Sequence, residues 1–286
     1  TSLEKLPNGV WTVVLEGRKG LSPLMFKVDG NSVINPLAPI GFGASQPWNM
    51  MDVPEDGVDF YYCKDVPHGS VTQEFYWSKT LGEWASCLVY TPPGYMRDPK
   101  EYPVLYLQHG HSENERCWTY QGKVNFIMDN LLAEGKAASC IIVMNNGMVQ
   151  TYKDESYVVN SLLLEDLLIN DCIPYIEQTY RVKSDRLSRA MAGLSMGSMQ
   201  TSMITLRHPE LFAWAGIFSG FIHALGGLGG NNDHLKALDN AEKFAADYKL
   251  FFRATGTEDF VMKTFGSDSE LFEEKGLSPE KCAAHV

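Results

Sequence analysis

Residues 189–200, RAMAGLSMGSMQ, constrain the fold more tightly than any other part of the chain. An apolar run enters the segment, Gly193-Leu194-Ser195-Met196-Gly197 spells G-x-S-x-G, and an amphipathic run leaves it. A sharp strand-to-helix turn needs that pattern, with small residues beside a serine raised at its tip. The five residues alone are a weak signal, because an ordinary helix start capped by Ser195 would read the same way. The strand before and the helix after turn the reading towards a nucleophile at the carboxyl edge of an α/β-hydrolase sheet.

The rest of the chain agrees with that class. Strand candidates at residues 71–77 and 85–91 are followed by buried runs VLYLQHG, SCIIVMNNG, RAMAG, AWAGIFSG and KLFFRATG. Helical spacing recurs between them, near residues 123–134, 162–180 and 196–208, and again at 267–275. Buried strands alternating with helices predict a mostly parallel sheet covered on both faces. Residues 9–36 read differently, as short half-buried strands in which Trp11, Val13 and Leu15 alternate against Phe26 and Val28, with a hairpin signal at Val28-Asp29-Gly30-Asn31. Residues 37–57, rich in Pro and Gly and aperiodic, read as a linker or covering loop. The expected division is residues 1–64, a partial β-sandwich with its linker, and residues 65–286, the α/β domain.

Composition excludes several classes. A net charge of −11 with no long basic run argues against nucleic acid or an anionic membrane as partner. No apolar run approaches the ~20 residues that span a bilayer. The six cysteines contain no C-x-x-C, so no zinc cluster is expected, and most read as small buried hydrophobes. The chain begins Thr-Ser-Leu-Glu without an initiator Met or signal peptide, as a processed or excised piece would.

Ser195 needs a histidine to take its proton and a carboxylate to hold that histidine. The acid belongs after a later strand, and KLFFRATGTEDF offers Asp259, with Glu258 second. Of the seven histidines, His68 and His208 read as structural, and His223 and His234 precede the acid, out of order for this fold. His109 and His111 flank Gly110 after a central strand, where a backbone oxyanion donor is expected. His285 alone follows Asp259, and its surroundings, CAAHV, read as a strand rather than the loop after one.

Read together, YTPPGY, YPVLYLQHGHSENERCW, IIVMNNG, IPYIEQTYRV, DRLSRAMAGLSMGSMQT, HPELFAWAGIFSG and GTEDF resemble carbohydrate esterase family 1, the feruloyl and acetyl-xylan esterases, close to the esterase D group. The resemblance runs from about residue 67 to the end. Residues 9–36 look like the second half of the Ig-like domain that often precedes such enzymes. The resemblance implies Ser195 as nucleophile, Asp259 as triad acid, the N–H groups of Met196 and His111 as oxyanion hole, and Trp118 as a packing residue of the oxyanion loop. It also implies a catalytic histidine in a Gly-Gly-His segment, several residues beyond the position of His285 and absent here. Both ends therefore read as cut.

The expected function is a serine carboxylic-ester hydrolase that removes feruloyl, or acetyl, groups from plant cell-wall xylan, secreted and without metal or organic cofactor. Trp48, Trp118, Tyr120 and Phe221 are candidates for an apolar slot that takes a ferulate ring. Three alternatives stand beside it: a catalytically silent carbohydrate-binding homologue, a siderophore or thioester esterase of the same fold, and an acyl transferase.

Overall fold

The computed structural model describes residues 1–153, 155–223 and 231–277 and the backbone of Ala284 and His285. These divide into two compact units, one of residues 1–41 and 47–59 and one of residues 42–46 and 60–286.

In the larger unit, eight strands form one sheet: β1 (Ser70–Ser78), β2 (Glu83–Thr91), β3 (Val104–Gln108), β4 (Ile141–Asn145), β5 (Arg189–Leu194), β6 (Trp214–Phe218), β7 (Leu250–Ala254) and β8 (Ala284–His285). Their spatial order is β8-β7-β6-β5-β3-β4-β2-β1. From β4 through β3 to β8 every pair is parallel, while β2 runs antiparallel to β4 and to β1. The fold is that of an α/β-hydrolase. All five residues of β4 are buried, as a parallel strand covered on both faces requires. Tyr106, Met191 and Ile204 pack with Leu164, Leu168 and Ile176 on one side, and Leu107, Ile142 and Ala192 with Val124 in a separate cluster. The order reverses at β3, whose neighbours are β4 and β5, and the crevice at such a switch point is where open α/β sheets bind ligands.

Helix α1 spans Val124–Ala133, α2 Ile173–Thr179, α3 Met196–Arg207, α4 Ala241–Asp247 and α5 Met262–Glu274. The long helix expected over 162–180 is a continuous helical run with a π-helical segment at Leu168–Cys172, which places Leu168 and Cys172 both in the core. Helix α5 begins five residues earlier than the spacing predicts. Of the described cysteines, Cys87, Cys117 and Cys172 are buried, Cys140 is half-buried and Cys63 is exposed. Cys282 lies outside the described residues.

The glycines of the turn have a steric cause. A Cβ on Gly193 would stand 2.2 Å from the Gly197 carbonyl oxygen. One on Gly197 would meet the carbonyl oxygens of His109 and Gln108 at 2.6 and 2.7 Å. Helix α3 therefore rests directly on the end of β3, backbone against backbone.

The first sixty residues correct two expectations. Residues 37–57 are not a loop: Ile40–Gly43 and Gln46–Val53 are strands, and Gln46–Val53 also pairs with Gly20–Leu24. Their two-residue connection, Ala44 and Ser45, has φ of 48° and 60°, a primed turn made without glycine and so invisible to a turn-residue scan. The second correction is at Trp11–Thr12, which is the whole of its strand; Val13 to Leu15 lie outside it, with Val14 95% exposed. The hairpin at Asp29-Gly30 forms as expected, pairing Phe26–Val28 with Asn31–Val33.

Where the chain enters β1, it is tied to α1 by a buried carboxylate. Asp129 Oδ1 accepts the Gly69 N–H (2.9 Å) and the Tyr90 hydroxyl (2.7 Å), and Oδ2 faces His68 Nδ1 at 2.8 Å. His68 Nε2 faces the Lys64 carbonyl at 3.0 Å, so both ring nitrogens meet acceptors and the imidazolium is favoured. The Asp129 hydrogen bond, above all, raises the His68 pKa.

Two outcomes follow from these contacts. Gly197→Ala should cost about 1–3 kcal/mol or more in urea unfolding, because the clash is with backbone and no side chain can yield. A folded-state pKa raised above the unfolded value stabilises fully below about 6.5. The stability difference between wild type and His68→Gln should therefore be largest in mild acid and shrink as pH rises through the raised His68 pKa.

Candidate active site

Ser195 sits at the single residue between β5 and α3, with φ 54° and ψ −113°. A non-glycine residue there is strained by about 1–3 kcal/mol and persists because its surroundings leave no alternative. Its N–H donates to the Phe218 carbonyl (3.0 Å), which joins the turn to β6. Its own carbonyl accepts the Ser198 N–H (2.9 Å) and the Ser198 hydroxyl (2.5 Å). The loop after β6 closes on the same point: a Cβ on Gly220 would lie 1.7 Å from Ser198 Oγ. The side chain is thereby held half-buried above the start of α3, where the helix dipole is positive.

Beside it runs the segment that follows β3. A Cβ on Gly110 would be 3.6 Å from Ser195 Cβ and 3.2 Å from Glu113 Oε2, so the Gly110 backbone borders Ser195 and a carboxylate lies against Gly110. Among the described residues, neither the Met196 N–H nor the His111 N–H has an acceptor. Those two donors match an oxyanion hole, each worth a few kcal/mol at a developing charge.

Residues 109–113 are held on every side. His109 is buried, its Nδ1–H donating to the Gly110 carbonyl (2.7 Å) and its Nε2 accepting the Gly147 N–H (2.8 Å). That pairing sets a neutral tautomer, and burial lowers its pKa further. Glu113 Oε2 accepts the Gly110 N–H (2.8 Å) and Oε1 the Gln121 amide (3.2 Å). Gln121 in turn clamps Phe42, accepting its N–H at 2.9 Å and donating to its carbonyl at 3.1 Å. Ser45 N–H reaches the Ser112 carbonyl (2.9 Å), where Ser112 has φ 64°. Residues 42–46 thus belong to the scaffold of this loop. Burial pushes the Glu113 pKa up, opposed by the two hydrogen bonds that its charged form accepts. Glu113 and Gln121 are residues that motif reading missed; the only signal was their position inside HGHSENERCWTYQG.

Asp259 lies five residues beyond the end of β7, half-buried, with its N–H on the Gly256 carbonyl (3.0 Å). Its Oδ1 accepts the Val261 N–H (3.0 Å), and Oδ2 has no partner among the described residues. Glu258 is exposed. Leu194, Phe218, Ala254 and His285 are consecutive Cα partners across β5, β6, β7 and β8. Ser195 and Asp259 therefore follow the same edge of the sheet, on strands two apart. On this row the backbone of β8 lies three strands from Leu194, about 14 Å at ~4.8 Å per strand.

Other sequence candidates fall as follows. The His111 imidazole is exposed and bonded to Ser112 Oγ (2.8 Å). His208 pairs with Glu165 (2.8 Å), His223 with Asp268 (3.2 Å), and His234 with the Ile222 carbonyl (2.7 Å). Trp118 donates to the Gln108 carbonyl (2.9 Å) and sets its ring 6.5 Å from Phe218, a packing role beneath the loop. Tyr120 is exposed, Phe221 is buried with Met199, Met203 and Val261, and Trp48 belongs to the smaller unit. Among the described residues no cluster of His, Cys, Asp or Glu could hold a metal, and no helix is long and apolar enough to cross a membrane.

Residues 78–277 match a family model described as "Putative esterase", and the chain belongs to that esterase family. Over 228 residues it is 41% identical to an endo-1,4-beta-xylanase/feruloyl esterase of Xylanibacter ruminicola; the match covers 77% of this chain and 31% of that protein. Among solved structures it is similar to a ferulic acid esterase at 26% identity and TM-score 0.65, covering 77% of this chain and 89% of the other. The fold also matches a CE1 ferulic acid esterase of Anaeromyces mucronatus in complex with ferulic acid (23% identity, TM-score 0.65, covering 80% and 86%).

Glu113 holds the Gly110 N–H, one residue before the candidate donor at His111. Glu113→Ala should lower kcat for a soluble ester about tenfold or more with KM little changed, since a misplaced donor costs transition-state rather than ground-state binding. Glu113→Gln, which keeps one of the two acceptors, should fall between.

Proposed function

We propose that this chain is a feruloyl esterase acting on plant cell-wall xylan through an acyl-enzyme on Ser195. The observation that carries the reading is the occurrence, along one sheet edge, of a strained serine with two N–H donors and a carboxylate oxygen that have no partner among the described residues. The xylanase/feruloyl esterase relative and the solved ferulic acid esterases support feruloyl over acetyl as the acyl group. Ser195 Oγ attacks the ester carbonyl while a histidine takes its proton. The oxyanion forms between the N–H groups of Met196 and His111, and its collapse expels the sugar alkoxide, which receives that proton. Water then attacks the acyl-enzyme by the same route and frees the acid. Asp259 Oδ2 is the acceptor that orients the histidine.

The base in this proposal is the histidine that the family resemblance implies after β8, with His285 the candidate within these residues. Every described imidazole is already hydrogen-bonded elsewhere, which favours a second reading, a silent carbohydrate-binding homologue. We also assign residues 1–64 to part of an Ig-like domain, supported by their short antiparallel strands, and place the enzyme outside the cell, supported by its acidic charge and exposed aromatic residues.

Hydrolysis of methyl ferulate and of a short acetyl ester, by this chain and by one extended past Val286, tests the assignment. The extended chain should be at least about a hundredfold faster, as restoring a general base requires, and Ser195→Ala should abolish turnover in it. Turnover that survives Ser195→Ala overturns the nucleophile. No turnover from the extended chain favours the silent homologue.

A further inference from the structure

Cys63 stands apart from the other described cysteines. Its thiol is exposed, whereas Cys87, Cys117 and Cys172 are buried and Cys140 is half-buried. Burial pushes the Cys140 thiol up to about 11 and the Cys117 thiol to about 12, which keeps both protonated at neutral pH. Cys63 meets a histidine instead, with its Sγ 3.7 Å from His68 Nε2. On the other side of that ring, Nδ1 donates to Asp129 Oδ2 (2.8 Å), on a carboxylate only 2% exposed. The Gly69 N–H and the Tyr90 hydroxyl hold that carboxylate in turn. Sulfur, imidazole and carboxylate thus follow one another as nucleophile, base and orienting acid do. None of the three belongs to the Ser195 site.

The charge on the ring decides what the sulfur does. Nδ1 keeps its proton because Asp129 can only accept, and Nε2 faces a second acceptor, the Lys64 carbonyl (3.0 Å). A proton on each nitrogen makes the ring an imidazolium. A thiol S–H then finds no lone pair on Nε2, whereas a thiolate accepts from the Nε2–H and lies beside a cation. The other groups facing the ring do not oppose this. Asp65, on the same segment, adds to Asp129 in holding the proton. The Lys64 ammonium is paired with Glu134 (3.8 Å), and from α1 the Phe126 ring meets the imidazole edge-on at 5.9 Å.

We propose that Cys63 is a nucleophile separate from Ser195, a thiolate paired with the His68 imidazolium, and a site of covalent modification by low-molecular-weight disulfides. In the exchange, Cys63 Sγ attacks one sulfur of the disulfide, and the new S–S bond forms as the old one breaks. Cys63 is oxidised to the mixed disulfide, and the departing sulfur is reduced, leaves as a thiolate and takes a proton from water. The imidazolium keeps its own proton and its bonds to Asp129 and Lys64 throughout.

The test is the rate at which oxidised glutathione modifies Cys63 in the intact chain at pH 6 and at pH 8, followed by mass spectrometry of the tryptic peptides. An ordinary thiol, with a pKa near 8.5, should slow roughly seventyfold from pH 8 to pH 6 as its thiolate fraction falls. Cys63 should slow less than about tenfold. His68→Gln, which cannot carry the charge, should restore the ordinary dependence and cut the pH 6 rate at least about tenfold. A wild-type Cys63 that slows seventyfold, or a His68→Gln chain that matches wild type at pH 6, overturns the proposal. The wild-type profile needs no variant, so it decides the outcome even if the substitution disturbs the entry to β1. No ester is hydrolysed in this assay, and its result is independent of the methyl ferulate one.

Discussion

The contact on which the site depends is between two backbones. Helix α3 lies against the end of β3 so closely that the Gly197 Cα has the carbonyls of Gln108 and His109 where a side chain would begin. This contact brings the start of α3 beside the segment after β3, where Gly110 lies against Ser195. It also explains why Ser195 accepts a positive φ. With β5 ending at Leu194 and α3 starting at Met196, one residue must make the whole turn.

Around that contact the protein places polar groups that serve the loop rather than the reaction. His109, buried and neutral, bridges Gly110 to Gly147; Glu113 holds the Gly110 N–H; Gln121 connects Glu113 to Phe42. Burying a carboxylate this close to the nucleophile is costly unless its oxygens are occupied, and both are. The loop is therefore set before any substrate arrives, which is the condition under which oxyanion donors need no reorganisation. The chain that tightens this network comes partly from residues 42–46, remote in sequence from the loop.

Much of this was legible in the sequence because it depends on local pattern. G-x-S-x-G between an apolar strand and a helix marked Ser195, and Gly-Thr-Glu-Asp after a strand marked Asp259. The hairpin at Asp29-Gly30 carried its own turn chemistry. The hairpin at Ala44-Ser45 did not, since its positive φ values are imposed by strand pairing and no residue there advertises them. Glu113 was unreadable for a similar reason. A glutamate in a polar loop looks solvated until the fold covers it.

By itself, then, the sequence determined the class of fold, the strand-to-helix turn at Ser195 and the turn after a strand that carries Asp259, because strand periodicity and glycine sterics act over a few residues. The tertiary structure decided which strand lies beside which, and with it the long-range facts. It put β8 three strands from β5, the strand that leads into Ser195. It also turned Glu113 and Gln121 from surface-like residues into supports of the oxyanion segment. Those outcomes rest on contacts between residues tens of positions apart, and only the packed sheet specifies them.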